Sequence, residues 1–372
     1  YGKLMSRFLF AGEKPGWANE AAWGMALIVT LGGGLNLFYL ISPLLVILLI
    51  LFGVFSSSYD LFCIRKSFAS TLKAAHDYWR THPCIFILKF AGFGIIAVLA
   101  GTQYLGSVTT EVHHWNYVVM DDLRGYFLLP KQMLETGGIT ADPFNSMRLG
   151  NGLAGQAMLH AMMLVVFDFF NILLVEFGVS LIICVGLVWS IATNRGLSYP
   201  WKWALVLFFL CLPYYPSLVI NTSSFISGML MLLALFAFLD REDLSSTQTP
   251  VRNVLVIGLL ASCAIALKTT FLPPVFMILA LSYICYLASS RFKKAAVLET
   301  VSVAMFVLIM LLPWMLALLN SSGTMLNPLL GTGYSEYNYG NYISDSQIGG
   351  FSLSQKLTFI WLTFFSRDTY LM

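Results

Sequence analysis

Two adjacent carboxylates, Asp121 and Asp122, open the stretch "DDLRGYFLLPKQMLE" in a chain with little charge elsewhere. Side chains at i and i+1 diverge by about 100° on a helix, so the two carboxylates take different roles. One can accept a proton from an incoming hydroxyl or amine while its neighbour orients it or holds a cation. The competing use is structural, with an aspartate capping the first turn of an amphipathic helix at a membrane surface. Just upstream, Glu111, His113 and His114 offer oxygen and nitrogen ligands for a divalent metal ion. Trp115 and Tyr117 beside them equally suit an interfacial aromatic belt.

Three further sets of residues have the types that chemistry needs. Gln156 and His160 stand at i and i+4, and so share one helix face that can line a polar pocket or face lipid headgroups. Lys268, in "ALKTTFLPP", falls where an apolar run ends. An ammonium there must face a cavity, an acidic partner or a lipid phosphate, or snorkel to the interface. The stretch "GTGYSEYNYGNY" carries Tyr334 and Tyr337 among glycines and asparagines. Tyrosine rings stack on sugars, and glycines let a lid reshape. A plain interfacial loop fits the same composition.

Composition decides what must position these groups. The chain is 58% hydrophobic and 15% aromatic but only 10% charged, and its mean hydropathy is +0.78. Soluble domains carry about a quarter charged residues, so lipid must be the solvent for much of this surface. A net charge of +3 is too small to indicate nucleic acid. The expected fold is an all-α polytopic transmembrane helix bundle of about ten spans, because backbone groups in lipid must be satisfied within each segment. The spans are expected near 18–31, 35–57, 84–105, 172–192, 203–216, 225–239, 253–267, 272–289, 295–318 and 356–372. A chain beginning with Tyr1 and ending in an apolar run reads as a piece truncated at its C-terminus. No internal repeat is visible, and the cysteines have neither metal-ligand spacing nor a disulfide pattern.

Placing the N-terminus in the cytoplasm puts fourteen Lys and Arg residues on that side and six on the other, with Lys89 left inside a span. That is the positive-inside bias. It requires 153–168 to lie at the outer interface as an amphipathic helix instead of crossing. Residues 1–83 then form an N-terminal pair of spans with a hydrophilic cytoplasmic connection near 58–82. Residues 84–372 form the second unit, with outer loops at 106–152 and 319–355. The expected location is a bacterial inner membrane, multi-pass.

In order along the chain, "NYVVMDDLRGYFLLPKQMLETGGITADPF", "GQAMLHA", "LKTTFLPP" and "PWMLALLNSSGTMLNPLLGTGY" resemble the GT-C superfamily of polytopic glycosyltransferases. That superfamily includes protein O-mannosyltransferases and bacterial lipid A aminoarabinose transferases. The resemblance covers about residues 84–345. It implies transfer of a sugar from a polyprenyl-phosphate donor to an acceptor on the extracytoplasmic face. It also implies that Asp121 or Asp122 is the general base, that Lys268 stands near the lipid phosphate, and that Arg124, Tyr126, Gln156, His160, Tyr334 and Tyr337 help bind substrate. No cofactor is fixed by it beyond an optional divalent metal ion. Two departures matter: two extra spans precede the motif-bearing unit, and the chain stops before the C-terminal soluble domain that many members of the superfamily use for acceptor binding, which leaves the acceptor open. The rival readings are a non-catalytic subunit of a larger membrane assembly and a lipid or solute transporter; partners are membrane lipids and other membrane subunits, not nucleic acid.

Overall fold

The computed structural model describes residues 1–10, 15–114, 126–140, 153–167, 169–211, 223–241, 250–289, 293–322 and 325–326, with backbone alone for 59–72, 74–75, 100, 103–114, 169–170, 241, 250, 289, 293 and 322. The described residues are mostly helical and contain no β-strand. A short α1 (Gly2–Leu9) precedes α2 (Trp17–Leu37), α3 (Pro43–Thr81) and α4 (Pro83–His114). Next come α5 (Leu128–Thr136) and α6 (Gly155–Val166). A 3₁₀ turn (Phe169–Leu173) and a π-helical segment (Leu174–Ser180) lead into α7 (Leu181–Asn194). The remainder is α8 (Tyr199–Leu210), α9 (Phe225–Arg241), α10 (Pro250–Leu267), α11 (Leu272–Ser289) and α12 (Lys293–Ser322).

Three stretches, Asn171–Asn194, Thr269–Ala288 and Lys294–Ser321, are long and apolar enough to cross a membrane. Around them the surface is that of a protein solvated by lipid. Leu44, Leu51, Phe55, Leu88, Phe90, Phe276, Leu281, Leu298 and Leu308 are all exposed. A water-soluble monomer rarely leaves apolar patches on this scale uncovered.

The core is built around α10, which packs against α2, α9 and α12. Every residue from Val256 to Leu267 on it is buried. Small residues set how closely its neighbours approach, as in membrane helix pairs generally. One span was expected to end near 31 and the next to begin near 35, on either side of the three glycines of "LGGGL". Instead α2 runs straight through them and ends at Leu37. Gly32 abuts Met158 and Gly33 abuts the indole of Trp314, so the missing side chains are a packing notch and not a helix break. Trp314 fills that notch and donates its Nε1–H to the Val29 carbonyl at 3.1 Å. The true break lies at 38–42, where Ser42 caps α3 by accepting the Leu45 N–H and Pro43 opens the helix.

The hydrophilic stretch near 58–82, read as a connection, continues α3 to Thr81 without interruption. Its Ser, Lys and Asp residues are compatible with a helix in an aqueous environment, and polarity alone does not stop a helix.

Candidate polar junction at one end of the bundle

Gly137 closes α5 in the left-handed region, with φ +87°, as the "TGG" sequence predicts. Its turn docks onto the break between α2 and α3. Ile41 N–H donates to the Gly137 carbonyl at 2.8 Å, and Ile139 N–H donates to the Asn36 side chain at 2.8 Å. These two bonds fix α5, and with it Tyr126 just before it, against the bundle.

From Tyr126 a hydrogen-bonded chain runs inward. His160 Nδ1 lies 3.4 Å from the Tyr126 carbonyl, and a carbonyl only accepts, so the proton is on Nδ1. Nε2 then accepts from Gln156 Nε2 at 3.2 Å. Gln156 Oε1 accepts from the Ser224 backbone N–H at 3.0 Å, and Ser224 Oγ donates to the Leu267 carbonyl at 2.8 Å. The chain therefore ties Tyr126, α6, the start of α9 and the end of α10 together, with one direction of donation from Ser224 to Tyr126. Gln156 and His160 are buried. Their shared face, which could have pointed at headgroups, is turned into the protein. Ala154, the residue before α6, holds φ +63°, a strained conformation for a residue with a Cβ and one that tends to be kept near functional sites.

Beside this chain sits Glu176, at 1% exposure. The wide π-helical turn re-aims it at the N-terminus of α9. One carboxylate oxygen accepts the N–H groups of Ile226 (2.7 Å) and Ser227 (2.9 Å), and the other accepts the Ser227 hydroxyl at 2.5 Å. An anion at this position satisfies helix-end donors and meets the positive end of the helix dipole. Lys268, half-buried in the extended joint between α10 and α11, lies within electrostatic reach of that carboxylate.

Tyr126, Gln156, His160 and Lys268 are thus gathered at one end of the bundle. Asp121, Asp122, Arg124, Tyr334 and Tyr337 lie outside the described residues, as do the side chains of Glu111, His113 and His114. Sequence reasoning missed Glu176, Ser224 and Ser227. A lone acid inside the apolar run "ILLVEFGVSL" was the available signal for the first. The "SSF" before α9 was the signal for the serines, since Ser is a common helix-start residue.

The opposite end of the bundle has different chemistry. There Arg195 pairs with Asp240, and Arg252 lies over the Phe10 ring at 4.7 Å. The basic residues that charge bias grouped on one side, Arg195, Lys202 and Arg252, do lie away from the Tyr126–His160–Gln156 chain.

His160 has a testable acid–base signature. It lies in α6, whose 12 residues rise only about 18 Å and fall short of a crossing. Burial pushes its pKa down to about 4, partly opposed by the bond to the Tyr126 carbonyl. Protonation would also set an Nε2–H against the Gln156 amide donor. The unfolded chain takes up this proton near pH 6.5 and the native chain resists until about pH 4. Stability from this group is therefore full above about pH 6.5 and is lost as pH falls toward 4. The thermal midpoint in detergent should fall between pH 7.5 and 5, and His160→Asn should flatten that slope; an unchanged slope in the variant would assign it elsewhere.

Fold and junction together define a class: among the described residues, a helical protein with membrane-type surface and a buried polar relay at one end of the bundle. The comparisons with known proteins add no relative: no family model matches the chain, and neither a curated protein nor a solved structure matches it.

Proposed function

We propose that this chain is an integral-membrane glycosyltransferase. It would move a sugar from a polyprenyl-phosphate donor to an acceptor on the extracytoplasmic face of a bacterial inner membrane, within a bundle of about ten spans. The observation that carries the reading is the convergence of Tyr126, Gln156, His160 and Lys268 at one end of the bundle. Four of the residues expected to bind substrate, drawn from segments over 140 positions apart, meet there. Asp122 precedes Tyr126 by four residues, a length of chain that spans at most about 14 Å. On this proposal the aspartates act at the same end of the bundle.

The chemistry this supports is a division of labour. Asp121 or Asp122 takes the acceptor's proton as its oxygen or nitrogen attacks the sugar carbon. Lys268 offsets negative charge on the departing polyprenyl phosphate. The buried relay holds the Tyr126 segment in register, so the base and the lysine keep a fixed relation. The N-terminus is assigned to the cytoplasm, which leaves this end outside.

A second reading has its own support. Glu176 and Glu299 are buried carboxyl side chains within membrane-crossing segments, and buried acids there often mark ion or solute pathways. One experiment separates the two. Purified protein is given radiolabelled polyprenyl-phosphate sugars with envelope extracts as acceptor, alongside Asp121→Asn and Asp122→Asn. Transfer should fall about a hundredfold or more in at least one variant, as removal of a general base predicts. Undiminished transfer by both variants rejects the base assignment. No transfer with any donor, together with solute flux in proteoliposomes, favours the transporter.

A further inference from the structure

Lys89 was the one basic residue that charge bias left inside a span, seven positions into α4. It is drawn out of the apolar run by aromatic partners. Its ammonium donates to the Tyr78 hydroxyl at 2.8 Å, and it lies 4.3 Å from the Tyr78 ring centre and 4.2 Å from that of Tyr199. Lys202 lies 5.3 Å from the same Tyr199 ring and 5.8 Å from Trp189. One tyrosine ring thus has an ammonium group from each of two lysines within cation–π reach. Cation–π contact draws each to the ring, but the two cations repel one another.

Nothing among the described residues neutralises them. The ion pairs there are Lys131–Glu135 and Arg195–Asp240, and neither involves these lysines. The pair therefore suits an anion, and the surface below it says what kind. Tyr78, Phe86, Lys89, Phe90 and Phe93 line an open depression of about 370 Å³. Phe86, Phe90 and Phe93 follow one another at i, i+4 and i+7 on one helix face, and Phe90 and Phe93 are 70% and 63% exposed. Lys89 at the edge of this apolar groove, with Lys202 on the adjoining Tyr199 ring, complements an amphiphile with a phosphate head and a hydrocarbon tail; a free phosphate would use only the lysines.

We infer that Lys89, Lys202, Tyr78 and Tyr199 form a binding site for the headgroup phosphate of an anionic phospholipid, whose acyl chain lies along Phe86, Phe90 and Phe93. The site sits at the Arg195 end of the bundle, away from the Tyr126–His160 relay. It rests on the membrane character of the surface and is independent of the transferase reading. Anionic headgroups attract each nearby lysine appreciably, and two lysines acting together give a preference of about tenfold over a zwitterionic lipid.

The test is native mass spectrometry of the purified full chain in detergent, titrated with phosphatidylglycerol, with phosphatidylcholine, and with inorganic phosphate as competitor. Wild type should retain phosphatidylglycerol about tenfold better than phosphatidylcholine. The K89Q/K202Q variant should lose that preference, K89R/K202R should keep it, and millimolar inorganic phosphate should not displace the lipid. Equal retention of the two lipids by wild type overturns the proposal, as does an unchanged preference in K89Q/K202Q. Displacement by phosphate overturns the lipid assignment. If the double glutamine variant fails to fold, the wild-type preference and the single K202Q variant decide the matter by the same criteria.

Discussion

Replacing Glu176 by alanine should destabilise the protein by about 3–5 kcal/mol, the scale seen when one member of a buried polar network is deleted. The carboxylate satisfies three donors, the N–H groups of Ile226 and Ser227 and the Ser227 hydroxyl. Without it they are left unpaired where water does not reach, at about 1–3 kcal/mol for each unsatisfied group. The start of α9 then loses its anchor to the π-helical segment, and Ser224 shifts relative to Gln156. Glu176→Gln keeps one acceptor oxygen and should lose clearly less. Glu135→Ala, on an exposed ion pair, should change almost nothing. Thermal unfolding followed by circular dichroism in detergent ranks the three. An alanine variant as stable as Glu135→Ala would show that the carboxylate does not hold α9.

Gly137→Val should cost about 3 kcal/mol, through two separate penalties. The residue holds φ +87°, where a β-branched side chain is strained. A Cβ there would also come within 2.2 Å of the Tyr39 carbonyl oxygen, which is backbone and cannot swing away. Gly34→Ala provides the contrast, because a Cβ at that helical position meets nothing within 4 Å. It should be neutral or slightly stabilising by helix propensity. The Gly137 variant has a second readout. Undocking α5 moves the Tyr126 carbonyl away from His160, so the acid-side stability slope of His160 should change as well. A valine variant with wild-type midpoint and wild-type slope would overturn this account of the turn.

The two glycine clusters show how one residue type can be legible in one place and misread in another. At Gly137 the local sequence was enough, because a helix C-terminus needs a residue tolerant of positive φ and the turn is made within a few positions. At Gly32 and Gly33 the reason for glycine is a side chain from α6 and another from α12, the latter over 280 residues away. No local pattern distinguishes a notch from a break. Polarity near 58–82 marked a connection but not that it is a helical continuation of α3, since a helix end is set by capping and continuity and not by how wet its flank is.

Of the relay, the i, i+4 spacing of Gln156 and His160 was readable, but the direction they face was not. An amphipathic periodicity places residues on one side of a helix and leaves open whether lipid, water or protein covers it. Contact with Ser224 and Tyr126 decided that. Lys89 stood out as a charge in an apolar run, yet its aromatic partners come from α3 and α8 and could not be assigned from α4 alone.

By itself, the sequence determined the helical class, the lipid-compatible surface, the Gly137 turn and the residue types able to do chemistry. Each of these depends on composition or on neighbours within about one helical turn. Only the tertiary structure decided that α2 runs through its glycines, that His160 is held neutral in a one-way relay, and that Glu176 caps α9. The physical reason is shared: burial, hydrogen-bond partnership and close approach are properties of pairs distant in the chain, and they exist only once the helices have packed.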